Sequence, residues 1–440
     1  MNHFKPEFFF LLLMCFWNWG SFAQTEKPNI IYIISDDQGW TDFGFMGHPQ
    51  IETPNIDRLA NESLTFTRGY VTAPLCSPSL ATLITGLYPQ QTKITGNDPL
   101  FESKERRYSP EWQLERSKEY QAFLNEFQKR PTIPQILGKA GYLSLQTGKW
   151  WGKSWKDAGF THGMTHGDAA TGGRHGDAGL AIGREGMKPI YDFIQLAEKE
   201  KKPFMVWYAP FLPHSPHTPP DSLLQKYLPK APTEAIAKYW AMCEWLDLTV
   251  GELMDYLKQE SLDENTLLIF VTDNGWIQNP DKTNQFMPGS KQDPADFGIR
   301  TPIMFHWPGK IAPKMDTIHL VSSVDIPTTT LAVAGLEGAT PMEGIDVLDQ
   351  AALDSRKSIY AVDFSHDMVD VFAPEKSLEH RVIISGDWKL ILAEPEQGES
   401  VQLYQIIKDP FEKTNVAKQN PDVVKKLTQE LEDWWERTNQ

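Results

Sequence analysis

The chain has 440 residues, 42 Lys and Arg against 58 Asp and Glu, and a formal net charge of −16. This acidic balance excludes a general nucleic-acid binder, and any anionic substrate must be met by local cations. Three cysteines exclude a disulfide scaffold, so the length must supply the core, with room for one large domain and a smaller one.

Residues 1–23, "MNHFKPEFFFLLLMCFWNWGSFA", read as a signal peptide. Lys5 gives the positive end, Phe8 to Phe16 the apolar stretch, and Ser21-Phe22-Ala23 a small-residue cleavage site. This predicts an exported protein, periplasmic or secreted. The run is too short to span a bilayer comfortably, and no later one is long enough, so no stable membrane insertion is expected. Cys15 lacks the small residues that normally precede a lipoprotein cysteine, which leaves Cys76 and Cys243 in the mature chain.

"NIIYIIS", Asn29 to Ser35, is an apolar, β-branched strand running into Asp36-Asp37. "GYLSLQTGKW", "PFMVWYAPFLPH", "NTLLIFVTDNGW" and "TPIMFHWPG" supply further strands, with helical stretches such as "TEAIAKYWAMCEWLDLTVGELMDYLKQ" between them. This alternation predicts an α/β fold with a large, mostly parallel sheet flanked by helices over residues 24–347. Residues 348–440 change texture. "SIYAVDF", "HRVIISGDWKLIL" and "VQLYQI" are short alternating strands, and "PDVVKKLTQELEDWWERT" is an amphipathic helix with Pro421 in its first turn. They predict a smaller antiparallel-sheet subdomain closed by a terminal helix.

Ligands in parallel sheets collect at the carboxyl ends of strands. Asp36-Asp37 and Asp273-Asn274 both stand there. Each pair alone is an ordinary turn, but two such oxygen pairs on one sheet suit a hard cation, Ca²⁺ or Mg²⁺. Cys76 precedes an apolar helical run; a helix beginning near Ser79 would aim its N–H groups at the thiol. A thiolate nucleophile, an inert buried thiol and a Cys76–Cys243 disulfide are the alternatives. Lys149, His214, His217 and Lys291 lie near strand ends and could give an acidic protein a local anion site. The Gly- and His-rich stretch "THGMTHGDAATGGRHGDAG" is a long loop of the kind that often carries function.

"CSPSLATLITGLYP" is similar to the sulfatase signature C-x-P-S-R-A-x-L-x-T-G, and "TDNG", "PHSPH" and "K…DFGIRTPIMFHWPG" follow in family order. "LYQIIKDPFEKTNVA" is similar to the family's carboxy-terminal signature. The chain thus resembles a type I sulfatase of the alkaline phosphatase superfamily over nearly all its mature length. The resemblance implies that a maturation enzyme oxidises Cys76 to formylglycine (3-oxoalanine), whose hydrate attacks sulfur. It places Asp36, Asp37, Asp273, Asn274 and residue 76 around one Ca²⁺, in preference to Mg²⁺. It assigns Lys149 and Lys291 to the sulfate oxygens, and His214 to substrate binding and the leaving oxygen. Two positions depart from the family: Leu80 replaces the signature Arg, and Trp151 the His of G-K-W-H. Arg174 and His175 in the Gly-rich loop are candidates to refill those roles.

The expected activity is calcium-dependent hydrolysis of sulfate esters on a sulfated carbohydrate, with algal polysaccharides such as ulvan or fucoidan first and glycosaminoglycans next. Trp40, Trp150, Trp151, Trp155 and Trp276 are candidates for stacking on sugar faces, with core filling the commoner role of such side chains. The rivals are a phosphodiesterase or phosphonate monoester hydrolase on the same fold, and a sulfated-glycan binding protein without turnover.

Overall fold

The computed structural model describes Met1 and residues 27–106, 109–166, 178–338, 342–398 and 400–439. The expected signal peptide, Arg174 and His175 lie outside the described residues. In chain order the strands are β1 (Asn29–Ser35), β2 (Leu64–Tyr70), β3 (Asp98–Pro99), β4 (Leu143–Gly148), β5 (His162–Gly163), β6 (Phe204–Ala209), β7 (Thr266–Thr272), β8 (Arg300–His306), β9 (Lys314–Asp316), β10 (Val321–Ser322), β11 (Ser358–Phe364), β12 (Asp367–Met368), β13 (Leu378–Ser385), β14 (Trp388–Ala393) and β15 (Gln402–Gln405).

The large sheet has the order β10-β2-β8-β7-β1-β6-β4-β5, with β9 beside β2. β1 lies at its centre, parallel to β6 and β7. Its apolar run is continuous because both faces are covered. Ile30, Tyr32 and Ile34 enter one core with Trp207, Val271 and Ile303, while Ile31 and Ile33 enter the other with Phe204, Leu246 and Phe270. β8 runs antiparallel to both β2 and β7, so the sheet is mixed but mostly parallel. Helices cover both faces, among them Glu234–Gln259, which the Thr233 hydroxyl caps by accepting from Ile236 N. No helix among the described residues is long and apolar enough to cross a membrane.

The second sheet is antiparallel, β11-β13-β14-β15. Gly386, with φ +55°, serves the tight turn between β13 and β14. The terminal helix Pro421–Thr438 lays Leu427, Leu431 and Trp434 against Ile383, Leu390 and Leu403. The Trp434 ring stacks on Tyr360 at 4.6 Å and meets Tyr88 edge-on at 4.9 Å, binding the small sheet to the large unit. A third contact is the parallel two-stranded pair of β3 and β12.

Candidate active site

Four adjacent parallel strands deliver the polar residues to one place. β7 ends at Asp273-Asn274, β1 at Asp36-Asp37, β6 leads to His214, and β4 leads to Lys149. The turn after β4 requires glycine. Gly148 has φ +74°, and a Cβ there would lie 1.8 Å from Ala209 O. Gly275, beyond Asn274, is equally constrained: its Cβ would lie 1.7 Å from Phe297 O. This close approach brings the segment after β7 against the "DFG" turn that follows Lys291.

The carboxylates interlock. Asp37 takes the left-handed conformation, φ 62°, and its N–H donates to Asp273 Oδ1 at 3.1 Å. Asn274 Nδ2 donates to Asp37 Oδ1 at 2.8 Å. Lys149 Nζ lies 2.5 Å from Asp36 Oδ1 and 3.4 Å from Asp273 Oδ2, and Lys291 Nζ lies 2.5 Å from Asp37 Oδ1. Three buried carboxylates thus face two buried ammonium groups. Burial, with Asp36 beside it, pushes the Asp273 carboxyl up to about 7. Burial raises Asp36 too, opposed by Lys149. It acts upward on Asp37 as well, but Lys291 and His214 outweigh it and hold that carboxyl well below the usual range.

Asp36 Oδ2, Asp37 Oδ2 and Asn274 Oδ1 are buried without a hydrogen-bond partner. Buried oxygens are rarely left so, and a cluster of them beside surplus negative charge fits a hard cation. One ligand atom each from Asp36, Cys76 and Asp273 lies within 4.8 Å of the others, and the same holds for Asp36, Asp37 and His214.

The helix carrying Cys76 starts at that residue and runs Cys76–Thr85, three residues earlier than expected. Pro78 allows this, because in the first turn its missing N–H has no partner to lose. Cys76 Sγ stands 4.0 Å from Asp37 Oδ1. Burial drives its thiol up to about 12, against the downward pull of Lys149 and Lys291. Burial thus disfavours the thiolate, which counts against the thiolate alternative. The disulfide alternative is corrected: Cys76 and Cys243 are both free and buried, and Cys243 packs with Ile51, Tyr239 and Trp276 in a separate cluster.

His214 Nδ1 lies 2.5 Å from Ser215 O, which can only accept, so Nδ1 carries the ring's proton. Nε2 then faces Asp37 Oδ2 at 3.5 Å. Burial first, then Lys149, hold the ring down to about 3 against the pull of Asp37. His217 is buried against Tyr239 and Trp276 instead.

Leu80 and Trp151, the two positions expected to depart from the family pattern, are both packed in apolar surroundings. Leu80 is fully buried, and Trp151 sits in the same core, 4.3 Å from the Phe127 ring and 5.2 Å from Trp150. The helix Pro110–Phe127 supplies that backing, and Tyr120 donates to Trp151 O. For Trp150, Trp151 and Trp276 the structure favours core filling over stacking on a sugar face. Trp150, Trp151 and Trp276 border the site but are each at least 97 % buried. Trp40 is covered by Arg300, 4.0 Å above its ring, and Lys156 lies over Trp155.

Asp37, Cys76, Lys149, Trp150, Trp151, His214, Trp276 and Lys291 border one cavity of about 620 Å³, which also touches Ser77, Asn97, Asp98, Asn284, Gln292 and His366. Sequence reasoning missed this second group. Asn97 had a local signal, since Gly96 before it admits close backbone approach; His366 had none.

A family model described as Sulfatase matches residues 28–336, and one described as N-sulphoglucosamine sulphohydrolase, C-terminal, matches residues 295–437. The N-acetylgalactosamine-6-sulfatase of Canis lupus familiaris is 27% identical over 368 residues, covering 75% of this chain and 67% of that protein. The chain spans about two thirds of the length of such mammalian relatives. The N-acetylgalactosamine-6-O-sulfatase of Bacteroides thetaiotaomicron is 26% identical over 495 residues, with 93% of each chain covered. The solved structure of Ps i-CgsB in complex with k-i-k-neocarrahexaose is 25% identical, with a TM-score of 0.73 over 94% of both chains. With a family model matched across most of its length, the chain belongs to the sulfatase family, a family of sulfuric ester hydrolases.

Proposed function

We propose that the protein hydrolyses sulfate esters of a carbohydrate, with residue 76 carried as formylglycine and Ca²⁺ held by Asp36, Asp37, Asp273 and Asn274. The observation that carries this reading is that three buried oxygens without a hydrogen-bond partner, on Asp36, Asp37 and Asn274, stand at neighbouring strand ends, while Asp37, residue 76 at a helix start and two buried lysines border one cavity. The cation, when bound, supplies positive charge to the sulfate oxygens and favours the ionised nucleophile. The helix Cys76–Thr85 directs its first N–H groups towards the same charge. Lys149 and Lys291 bind sulfate oxygens and oppose the repulsion of an acidic chain. His214 is assigned to the leaving oxygen, which its Nε2 faces as an acceptor in the neutral ring and serves as donor or acid once the ring has taken up a second proton.

A carbohydrate substrate is supported by the saccharide-named relatives and by the 25% identical structure that holds an oligosaccharide. We place algal polysaccharides such as ulvan or fucoidan first and glycosaminoglycans next. The reading includes removal of residues 1–23, action in the periplasm or outside the cell, and conversion of Cys76 by a formylglycine-generating maturation enzyme. It divides the mature chain into units 24–347 and 348–440.

The deciding experiment is the mass of the tryptic peptide carrying residue 76, with sulfate release measured on the same preparation. Formylglycine with sulfate release supports the reading. An unmodified cysteine with glycan affinity and no turnover replaces it with a binding protein. Faster turnover of a phosphate diester than of 4-nitrophenyl sulfate replaces it with a phosphodiesterase.

A further inference from the structure

A hydrogen-bond chain joins the start of the Cys76 helix to the C-terminal unit. Ser77 N donates to Asn97 Oδ1 at 3.0 Å. A backbone N–H can only donate, so this contact fixes the amide and turns Asn97 Nδ2 towards His366 Nε2, 3.3 Å away. Nδ2 is a donor, so Nε2 must accept. The ring proton of neutral His366 therefore resides on Nδ1, which lies 2.8 Å from Asp367 Oδ1. The main chain supports the same geometry. Asn97 N donates to His366 O at 2.8 Å and Leu100 N to Met368 O at 2.7 Å. Gly96 permits the approach, since a Cβ would lie 2.8 Å from Met368 N and 2.9 Å from His366 O.

His366 and Asp98 both line the cavity beside residue 76. Asp98 is paired to register with Asp367, and Arg116 stands 4.0 Å from its Oδ1. With sulfate drawn to Lys149 and Lys291, the rest of the substrate lies against the other walls. On this side the wall offers an imidazole acceptor and a carboxylate. A sugar hydroxyl can donate to both, and the 3.3 Å contact from Asn97 is long enough for a hydroxyl to take its place. A second sulfate or a uronate carboxylate has only acceptors and like charge to present.

Resting on the sulfatase reading, we infer that His366 and Asp98 are specificity-determining residues that select a sugar with a free hydroxyl beside the scissile sulfate and reject a neighbouring anionic group. Asp367 and Asn97 are the positioning residues that fix the imidazole tautomer.

The test uses full-length protein co-produced with a formylglycine-generating enzyme. Sulfate release is compared on N-acetylgalactosamine 6-sulfate and N-acetylgalactosamine 4,6-disulfate. Wild type should favour the monosulfate in kcat/KM by about tenfold or more, the scale of like-charge rejection at a partly exposed site. The double variant Asp98→Asn/His366→Ala should bring the ratio to within about threefold, mainly through a lower KM for the disulfate. Preference for the disulfate, or a ratio unchanged in the variant, overturns the inference. Cleavage of 4-nitrophenyl sulfate but of neither sugar overturns it too, whereas inactivity on all three removes the sulfatase reading itself. Independently of turnover, ¹⁵N-histidine NMR should show the Nδ1–H tautomer at His366, lost in Asp367→Asn. An Nε2–H tautomer in wild type also overturns the inference.

Discussion

Lys389 and Asp296 form a fully buried ion pair across the seam between the two sheets, with Nζ 3.0 Å from Oδ1. Glu412 completes it. Its Oε1 lies 2.7 Å from Lys389 Nζ, and its Oε2 accepts from Asp296 N at 2.8 Å. Glu412 belongs to the carboxy-terminal signature "DPFEKTNVA", so that motif holds β14 against the turn that follows Lys291. Lys389→Met takes the ammonium from buried Glu412 and leaves Asp296 with Arg300 at 3.6 Å, and should destabilise the protein by about 3–5 kcal/mol in urea denaturation. The triple variant Lys389→Met/Asp296→Asn/Glu412→Gln should regain most of that loss. An unchanged midpoint in the single variant contradicts the role given to the pair.

Metal binding should be visible without turnover. Calcium added at about a hundred times its dissociation constant should stabilise the fold by about 2.7 kcal/mol, read as a rise in Tm. In Asp273→Ala the protein should remain folded while the calcium-induced rise disappears. A rise that persists in this variant removes Asp273 from the cation site.

If Lys291 binds sulfate as proposed, Lys291→Ala should raise KM and lower kcat together, since its charge would act on both the bound and the transition state. A drop of about a hundredfold in kcat/KM is expected for a charged group aimed at the reacting centre. Unchanged constants would exclude Lys291 from catalysis.

Restoring the family residue at Leu80 should harm the protein. Leu80 is fully buried in the aromatic and aliphatic core, so Leu80→Arg places an unpaired cation there. Loss of about 3 kcal/mol or more is expected, with reduced soluble yield. Wild-type Tm together with raised activity would show that the cation reaches the site after all.

Asp316 offers a pH test away from the site. Burial would raise its carboxyl, but the His319 and Ile318 N–H groups, Lys314 and the His319 ring hold it well below its ordinary value. A depressed carboxyl adds stability above the unfolded pKa, and that stability is lost as pH falls through the folded value. Asp316→Asn should therefore cost about 2 kcal/mol at pH 7, with the gap to wild type closing below about pH 4. A gap constant down to pH 3 contradicts this assignment.

The parts of the fold that the sequence made legible are those governed by local chemistry. β1 and β7 announce themselves because burial on both faces demands unbroken apolar runs, and the abrupt Asp-Asp and Asp-Asn ends mark where the sheet gives way to the site. The β13–β14 hairpin and the terminal helix follow from turn residues and helical period. β2 was missed, since "LTFTRGY" breaks its alternation with Arg68 and Gly69, where the register shifts. The direction of β8 is a matter of partners, which no local pattern records. Whether Trp150 and Trp151 fill the core or face a sugar could not be read locally, because Phe123 and Phe127, which pack against them, come from another helix. His366 was invisible for the same reason: it gains meaning only when β12 pairs with β3 some 270 residues away.

The central place of β1 sets a schedule for the growing chain. Its partners are β6 and β7, and β7 ends at Thr272, about 240 residues after β1 does. At a synthesis rate of about 5–20 residues per second, the first strand waits roughly ten to fifty seconds for its second neighbour. Through that interval Asp36 and Asp37 have no Asp273 to face, and Cys76, only 3 % exposed in the finished fold, lies in an unassembled segment. Any enzyme that must grip residue 76 has this window, and a variant that hastened closure of the sheet would shorten it.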